Sequence, residues 1–282
     1  MGNRVAIGSF VADNDSASDF RVTANVKGWA DAPEVRSGIA SKAQQDGGWD
    51  ASGYFDSRSV TVEGAVVQPT AADAADVADS LTALSLRSLH ELVVDSDAVG
   101  PRSALVRVTQ GAALEWVGDR AFTYAITVTA PDPLKYGPPT FTSTTLAGSA
   151  GGTGLTYPLT YPLSYGLAPG VTPGAATVPN AGTAAYWPRL RIDGPVPNPR
   201  VTLVETGDSI RYAGTLAAGQ WLDIDCANRR VLLNGQVSVR HLVSSSGSWL
   251  AIPVGGGSVS WTADAADPNA ELSVWGYEGA WT

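Results

Sequence analysis

The sequence predicts a mainly β protein with one helix, and three observations carry that expectation. Apolar side chains recur at every second position in many short runs, the pattern of half-buried strands. Those runs are separated by turns drawn from 31 Gly and 18 Pro. Only one segment has helical spacing. The 282 residues are 44% hydrophobic and 16% charged, which excludes wholesale disorder and can fill about two cored domains.

Taken in order, Asp13-Asn14-Asp15-Ser16 opens like a calcium loop, but Ser18 and Ala24 stand where that loop requires Gly and Glu, so a polar turn is expected. Val60 and Val62 begin the first clear strand. A helix should start after Pro69, with Thr70 as N-cap and Asp73 in its first turn. Val77, Leu81 and Leu84 form its apolar stripe, and Asp73, Asp76 and Asp79 suit its start, as solvated charge rather than metal ligands. Strands are expected over Ala104, Val106, Val108 and over Phe122, Tyr124, Ile126, Val128. Ala130-Pro131-Asp132-Pro133 then breaks the pattern, and a Pro-, Gly-, Ser- and Thr-rich stretch runs to about Asn180. The division expected is 1–136 as an N-terminal domain, 137–180 as linker or arm, and 181–282 as a C-terminal domain.

Within the linker, the glycines of Ser149-Ala150-Gly151-Gly152-Thr153-Gly154 lack a following Lys-Ser or Lys-Thr, so they read as a hinge and not a phosphate loop. A repeat follows that places Tyr157, Tyr161 and Tyr165 on one face when extended. Pro158 and Pro162 remove donors from one backbone edge, which fits either a covered edge strand or an arm docking on another subunit. Further strands are expected at Leu190, Ile192; Val201, Leu203; Leu222, Ile224, Cys226; Val231-Leu232-Leu233; and Val237, Val239, with Asn234-Gly235 as a hairpin turn. Short strands around Trp249, Trp261 and Trp275 should place all three rings in the core. Many short strands without a helix indicate a β-sandwich.

Chemistry is sparse. One cysteine, Cys226, and two histidines, His90 and His241, argue against disulfide, zinc or histidine-metal sites, and Gly-x-Ser-x-Gly is absent. His90 sits just past the helix, and His241 shares strand parity with Val239, so both read as structural. Asp223 and Asp225 share one strand face. They read as a solvated face rather than an acid–base pair, although a cell-wall hydrolase using Asp223 is a third option. No catalytic, cofactor-binding or metal residue is expected, and no cofactor. The net charge of −9, without Lys or Arg runs, disfavours nucleic-acid binding. The acidity is concentrated in residues 1–136, with 18 acidic against 11 basic residues. No apolar run reaches a membrane span of roughly 18 residues, and Met1 to Phe10 lacks a signal-peptide core, so neither membrane anchoring nor export is expected.

Six segments in register resemble the distal tail proteins of long-tailed, non-contractile bacteriophages. They are Ala130-Pro131-Asp132-Pro133-Leu134-Lys135-Tyr136; Leu190-Arg191-Ile192-Asp193-Gly194-Pro195 with Asn198-Pro199; Gly214-Thr215-Leu216-Ala217-Ala218-Gly219; Leu222-Asp223-Ile224-Asp225; Val231-Leu232-Leu233-Asn234-Gly235; and Trp249-Leu250-Ala251-Ile252-Pro253-Val254-Gly255. The resemblance implies an N-terminal belt domain of split-barrel type and a C-terminal galectin-like β-sandwich. It further implies a homo-hexameric hub ring in the virion, made in the host cytoplasm, joining the tail tube protein to tail-tip and receptor-binding proteins. DNA would pass through without specific binding, and an acidic lumen would keep it from sticking. The alternative is a carbohydrate-binding module that contacts a host surface glycan through exposed Trp or Tyr.

Overall fold

The computed structural model describes residues 4–16, 18–84, 88–148 and 171–282. Two compact units are present: Met1–Pro138 with Trp281–Thr282, and Pro139–Ala280.

Among the described residues, the first unit centres on one large antiparallel sheet with a helix on it. Its strands run in the spatial order Phe10–Asp13, Arg4–Ile7, Leu89–Asp95, Arg102–Gly118, Ala121–Ala130, Arg58–Val67 and Arg21–Val22. Strict alternation explains the pairing in its centre. Val60 and Val62 lie opposite Val128 and Ile126, so the parity that buries one strand's valines buries its partner's. The two edge strands share no ladder among the described residues, so the sheet does not close into a continuous barrel. The Asn14 carboxamide bridges the chain just beyond both edges, donating to Ala24 O and accepting from Ala24 N, each at 2.8 Å. Its expected polar turn is thus also a side-chain substitute for a ladder. Gly64 is required where the chain at Thr23 crosses, because a Cβ there would stand 1.9 Å from the Thr23 carbonyl oxygen.

The helix spans Ala71–Thr82. The Thr70 hydroxyl accepts from Asp73 N at 3.1 Å and donates to the Asp73 carboxylate at 2.7 Å, which fixes its start as expected. Ala74, Ala78 and Leu81 are its buried residues, Leu84 is buried just beyond it, and Val77 is partly covered. Small alanines on this face let the helix lie close to the sheet. Arg4–Ile7, Phe10–Asp13 and Leu89–Asp95 are strands whose signal in the sequence is weak, being short or interrupted by Glu91. His90 lies within the last of these, opposite Val106, and not in the helix terminus.

The second unit packs a six-stranded sheet and a five-stranded sheet as a β-sandwich. The larger runs Pro139–Thr145, Glu271–Tyr277, Arg189–Asp193, Trp221–Asp225, Arg230–Leu233, Val237–Ser238. The smaller runs Gly174–Val178, Gly257–Thr262, Arg200–Leu203, Ser209–Tyr212, Val243–Ser246. Residues 139–145 and 174–178, within the stretch expected as linker, are therefore sheet strands; threonines alternating around Phe141 suit a strand whatever the surrounding Pro and Gly content. Asn234 and Gly235 adopt positive φ of 52° and 69° in the hairpin turn, as expected. His241 departs from its expected strand, lying exposed in the 3-10 turn Arg240–Leu242.

Trp249 and Trp261 are in the core, but Trp275 is 38% exposed. In its strand Leu272, Val274 and Gly276 point inward, so Trp275 takes the opposite parity and packs its ring on Phe141, 5.3 Å between centroids.

Polar clips close the loop end of the sandwich. Buried Asn180 donates through Nδ2 to the carbonyls of Ala184, Ile252 and Pro253, and its Oδ1 accepts from Gly182 N and Ala280 N. Beside it the Tyr186 hydroxyl sits 2.9 Å from Pro179 O and 3.0 Å from Tyr277 O, and accepts from Tyr277 N at 3.2 Å. Unpaired buried groups cost about 1–3 kcal/mol each, so Asn180→Ala should destabilise the second unit by several kcal/mol in urea titration. Asn180→Asp, which sets a carboxylate against three carbonyl oxygens, should be at least as damaging despite its identical shape.

Candidate functional site

A groove of about 670 Å³ lies on the outward face of the six-stranded sheet, lined by Trp187, Arg189, Arg191, Trp221, Asp223 and Trp275 among others. Parity explains why these side chains meet. Leu190 and Ile192 are buried, which turns Arg189, Arg191 and Asp193 outward, and buried Leu222 and Ile224 do the same for Trp221, Asp223 and Asp225. The registers Arg191↔Asp223 and Arg189↔Trp275 then bring the two rows together.

The polar groups of this groove hold one another. Asp193 grips Arg191 through Nε, at 3.0 Å to both oxygens, and through Nη2 at 2.7 Å. This bond, opposed by modest desolvation, raises the basicity of the guanidinium. The Arg191 guanidinium stacks 4.6 Å from the Trp221 ring centroid, and Trp221 Nε1 donates to Asp223 Oδ2 at 3.1 Å. Asp225 is pushed up by partial burial, but two hydrogen bonds from Asn228 and the nearby Arg230 and Arg189 outweigh that and hold it below the usual carboxylate range. It is an ionised cap of its own turn rather than half of an acid–base pair. Cys226 is buried, which raises its thiol above the ordinary range and suits a small core hydrophobe better than a nucleophile. His90 and His241 lie in different units. The candidate arm residues Tyr157, Tyr161 and Tyr165 lie outside the described residues. The aromatic and arginine face was available to sequence reading through the parity of Leu272 and Val274 against Trp275; only the cross-strand register unites it.

The first unit offers two further features. Two small hairpins, Val35–Arg36 with Tyr54–Phe55 and Ala40–Ser41 with Gly48–Trp49, carry large apolar side chains outside the core, with Trp49 68% and Tyr54 67% exposed. Elsewhere a cavity of about 340 Å³ is lined by Trp29, Val94, Val99, Arg102 and Lys135. Buried Arg58 donates to the carbonyls of Pro133, Gly28, Trp29 and Asp31, tying the start of the hairpin segment to the chain after the last long strand. Lys135 Nζ donates to Trp29 O at 3.1 Å, and Arg102 stacks on Trp281 at 4.1 Å.

Desolvation, then repulsion from Arg58 and Arg102, lowers the Lys135 pKa from 10.5 to about 8. The unfolded chain therefore binds this proton more tightly than the folded one between those values, and Lys135 contributes a stability that rises with pH from about 8 toward 10. Lys135→Met, which keeps the stem and removes the charge, should flatten that rise relative to the unmodified protein in denaturant midpoints measured from pH 7 to 9.5.

Comparison with known proteins fits this architecture. Residues 181–274 match the family model of the siphovirus-type tail component, C-terminal domain. Among solved structures, the chain is similar to the SPP1 Dit (gp 19.1) protein, described as a paradigm of the hub adsorption apparatus in Gram-positive-infecting phages, with TM-score 0.60, 14% identity and 99% coverage of both chains. It is also similar to a chain of the phage P2 baseplate in its activated conformation with Ca, with TM-score 0.52, 11% identity, and 99% and 100% coverage. The same baseplate with Sr gives TM-score 0.51 at 11% identity, covering 98% and 99%. No curated protein matches. Residues 181–274 are thus similar to the siphovirus-type tail component C-terminal domain, in a chain that shares the fold of the SPP1 Dit protein over 99% of its length.

Proposed function

We propose that this protein is a structural hub of a long, non-contractile phage tail, forming a homo-hexameric ring that joins the tail tube to the tail-tip and receptor-binding proteins. It resides at the virion's tail tip after synthesis in the host cytoplasm, and it works through interfaces rather than catalysis.

The observation that carries this reading is the apolar surface of the 35–55 hairpins. Val35, Ile39, Trp49, Tyr54 and Phe55 are all exposed on a segment with no core of its own. Isolated two-stranded hairpins are marginal in water, so such a segment gains order and removes its rings from solvent by packing on another chain. The fold shared with a hub adsorption protein and with baseplate chains supports the same assignment. The excess of carboxylates in residues 1–136 suits a ring that passes DNA, since a negative lumen repels phosphate.

Native mass spectrometry of the purified protein, alone and with its tail-tube neighbour, tests the ring. The expected result is a closed hexamer in at least one condition, reduced to monomer by the double substitution Trp49→Asp and Tyr54→Asp. A strict monomer in both conditions would remove the hub reading, as would a hexamer indifferent to those substitutions remove the hairpins from the interface.

A further inference from the structure

We propose that the groove on the outward face of the six-stranded sheet is a binding site for a neutral saccharide. The proposal goes beyond the hub reading and does not need the ring to form.

Three properties of the groove select this ligand class. The first is aromatic surface left open to solvent: Trp187 is 47% exposed, Trp275 is 38% exposed, and Trp221 borders the same space. Trp275 rests on Phe141, yet it and Trp187 stay partly open to solvent on a sandwich whose core is filled by other side chains. The flat indole faces match the C–H faces of pyranose rings, while their rims leave hydroxyls free. The second is charge balance. Arg191 registers against Asp223 and is already paired with Asp193, and Arg189 registers against Asp225. An anion would meet Asp223 and two guanidinium groups already offset by carboxylates, and a cation would meet those same two guanidinium groups. A neutral ligand meets neither penalty.

The third property is preorganisation. Asp193 engages two of the three nitrogens of Arg191, Trp221 clamps the other face of its guanidinium, and Trp221 Nε1 holds one oxygen of Asp223. Arg191 Nη1 and Asp223 Oδ1 remain as a fixed donor and a fixed acceptor on neighbouring strands, a pairing that suits vicinal hydroxyls, each of which can both give and take a hydrogen bond. Because these side chains are already ordered, binding loses little of their rotamer freedom. The volume lies within the range usual for small-ligand sites. A protein partner would be expected to find a larger and less charged apolar patch at its centre.

The test uses the full chain on an array of neutral and acidic glycans, followed by tryptophan fluorescence titration and saturation-transfer NMR with the glycans that bind. Lactose, maltotriose and chitotriose serve as defined neutral probes, with sialyllactose and inorganic phosphate as anionic ones. The expected result is saturable binding of at least one neutral glycan. Its affinity should fall about tenfold or more in Trp275→Ala and in Trp187→Ala. Trp116→Ala, in the first unit, should leave it unchanged. Asp223→Asn should weaken binding while leaving the circular dichroism spectrum and melting temperature in place, which separates loss of the site from loss of the fold. No neutral glycan binding on the array, binding confined to anionic probes, or binding unaltered by both groove substitutions would each overturn the proposal. None of these results depends on the oligomeric state, so failure here and failure of the ring remain distinguishable.

Discussion

A strand in a sheet has two faces and no third, so every burial decision on one side dictates what the other side displays. Burying Leu190, Ile192, Leu222 and Ile224 commits Arg189, Arg191, Asp193, Trp221, Asp223 and Asp225 to the opposite surface. Leu272 and Val274 likewise send Trp275 outward. The strand-borne part of the groove is thus the complement of the core, and Trp187 from the preceding loop and Gly235 from the hairpin turn complete its lining. Antiparallel register supplies the rest, setting Arg191 beside Asp223 and Arg189 beside Trp275. The same constraint operates in the first unit, where Val60, Val62, Ile126 and Val128 share the inner face and threonines occupy the outer one.

Alternation alone does not close a sandwich or fix the ends of a sheet, and buried polar groups take over there. Asn180 joins three separate chain segments through five hydrogen bonds to backbone, and Tyr186 adds a second knot beside it. In the first unit Arg58 and Lys135 do comparable work by donating to carbonyls around Trp29. Burial first, and then repulsion from Arg58 and Arg102, depresses the Lys135 pKa, so the cluster accepts an electrostatic cost for the carbonyls it gathers. Each clip gathers backbone carbonyls near the ends of strands, where ladders alone do not satisfy every group.

The two units differ in which apolar side chains they leave exposed. Among the described residues, the second unit buries most of its large aliphatic side chains and leaves Trp187 and Trp275 partly exposed at the groove. The first exposes large apolar side chains on the hairpins between residues 35 and 55, and others such as Leu105, Trp116 and Val117 on its long strands.

The sequence by itself determined the strand-rich class, the single helix with its Thr70 cap, the Asn234-Gly235 turn and the burial of Trp249 and Trp261, because each depends on neighbours within a few positions. It also carried the family likeness of the C-terminal domain, through short segments in a fixed order. Trp275 was misjudged as core because hydrophobic character is a weaker guide than parity, and Leu272 and Val274 already occupied the inner face. The strands Pro139–Thr145 and Gly174–Val178 were hidden by Pro and Gly content, which reports turns nearby and not the pairing between them. Only the tertiary structure decided the five bonds of Asn180, the neighbours of Lys135 and the meeting of Trp187, Arg191, Trp221 and Trp275. Those contacts join residues tens of positions apart, and their geometry follows from which strands become neighbours, a choice that local alternation leaves open.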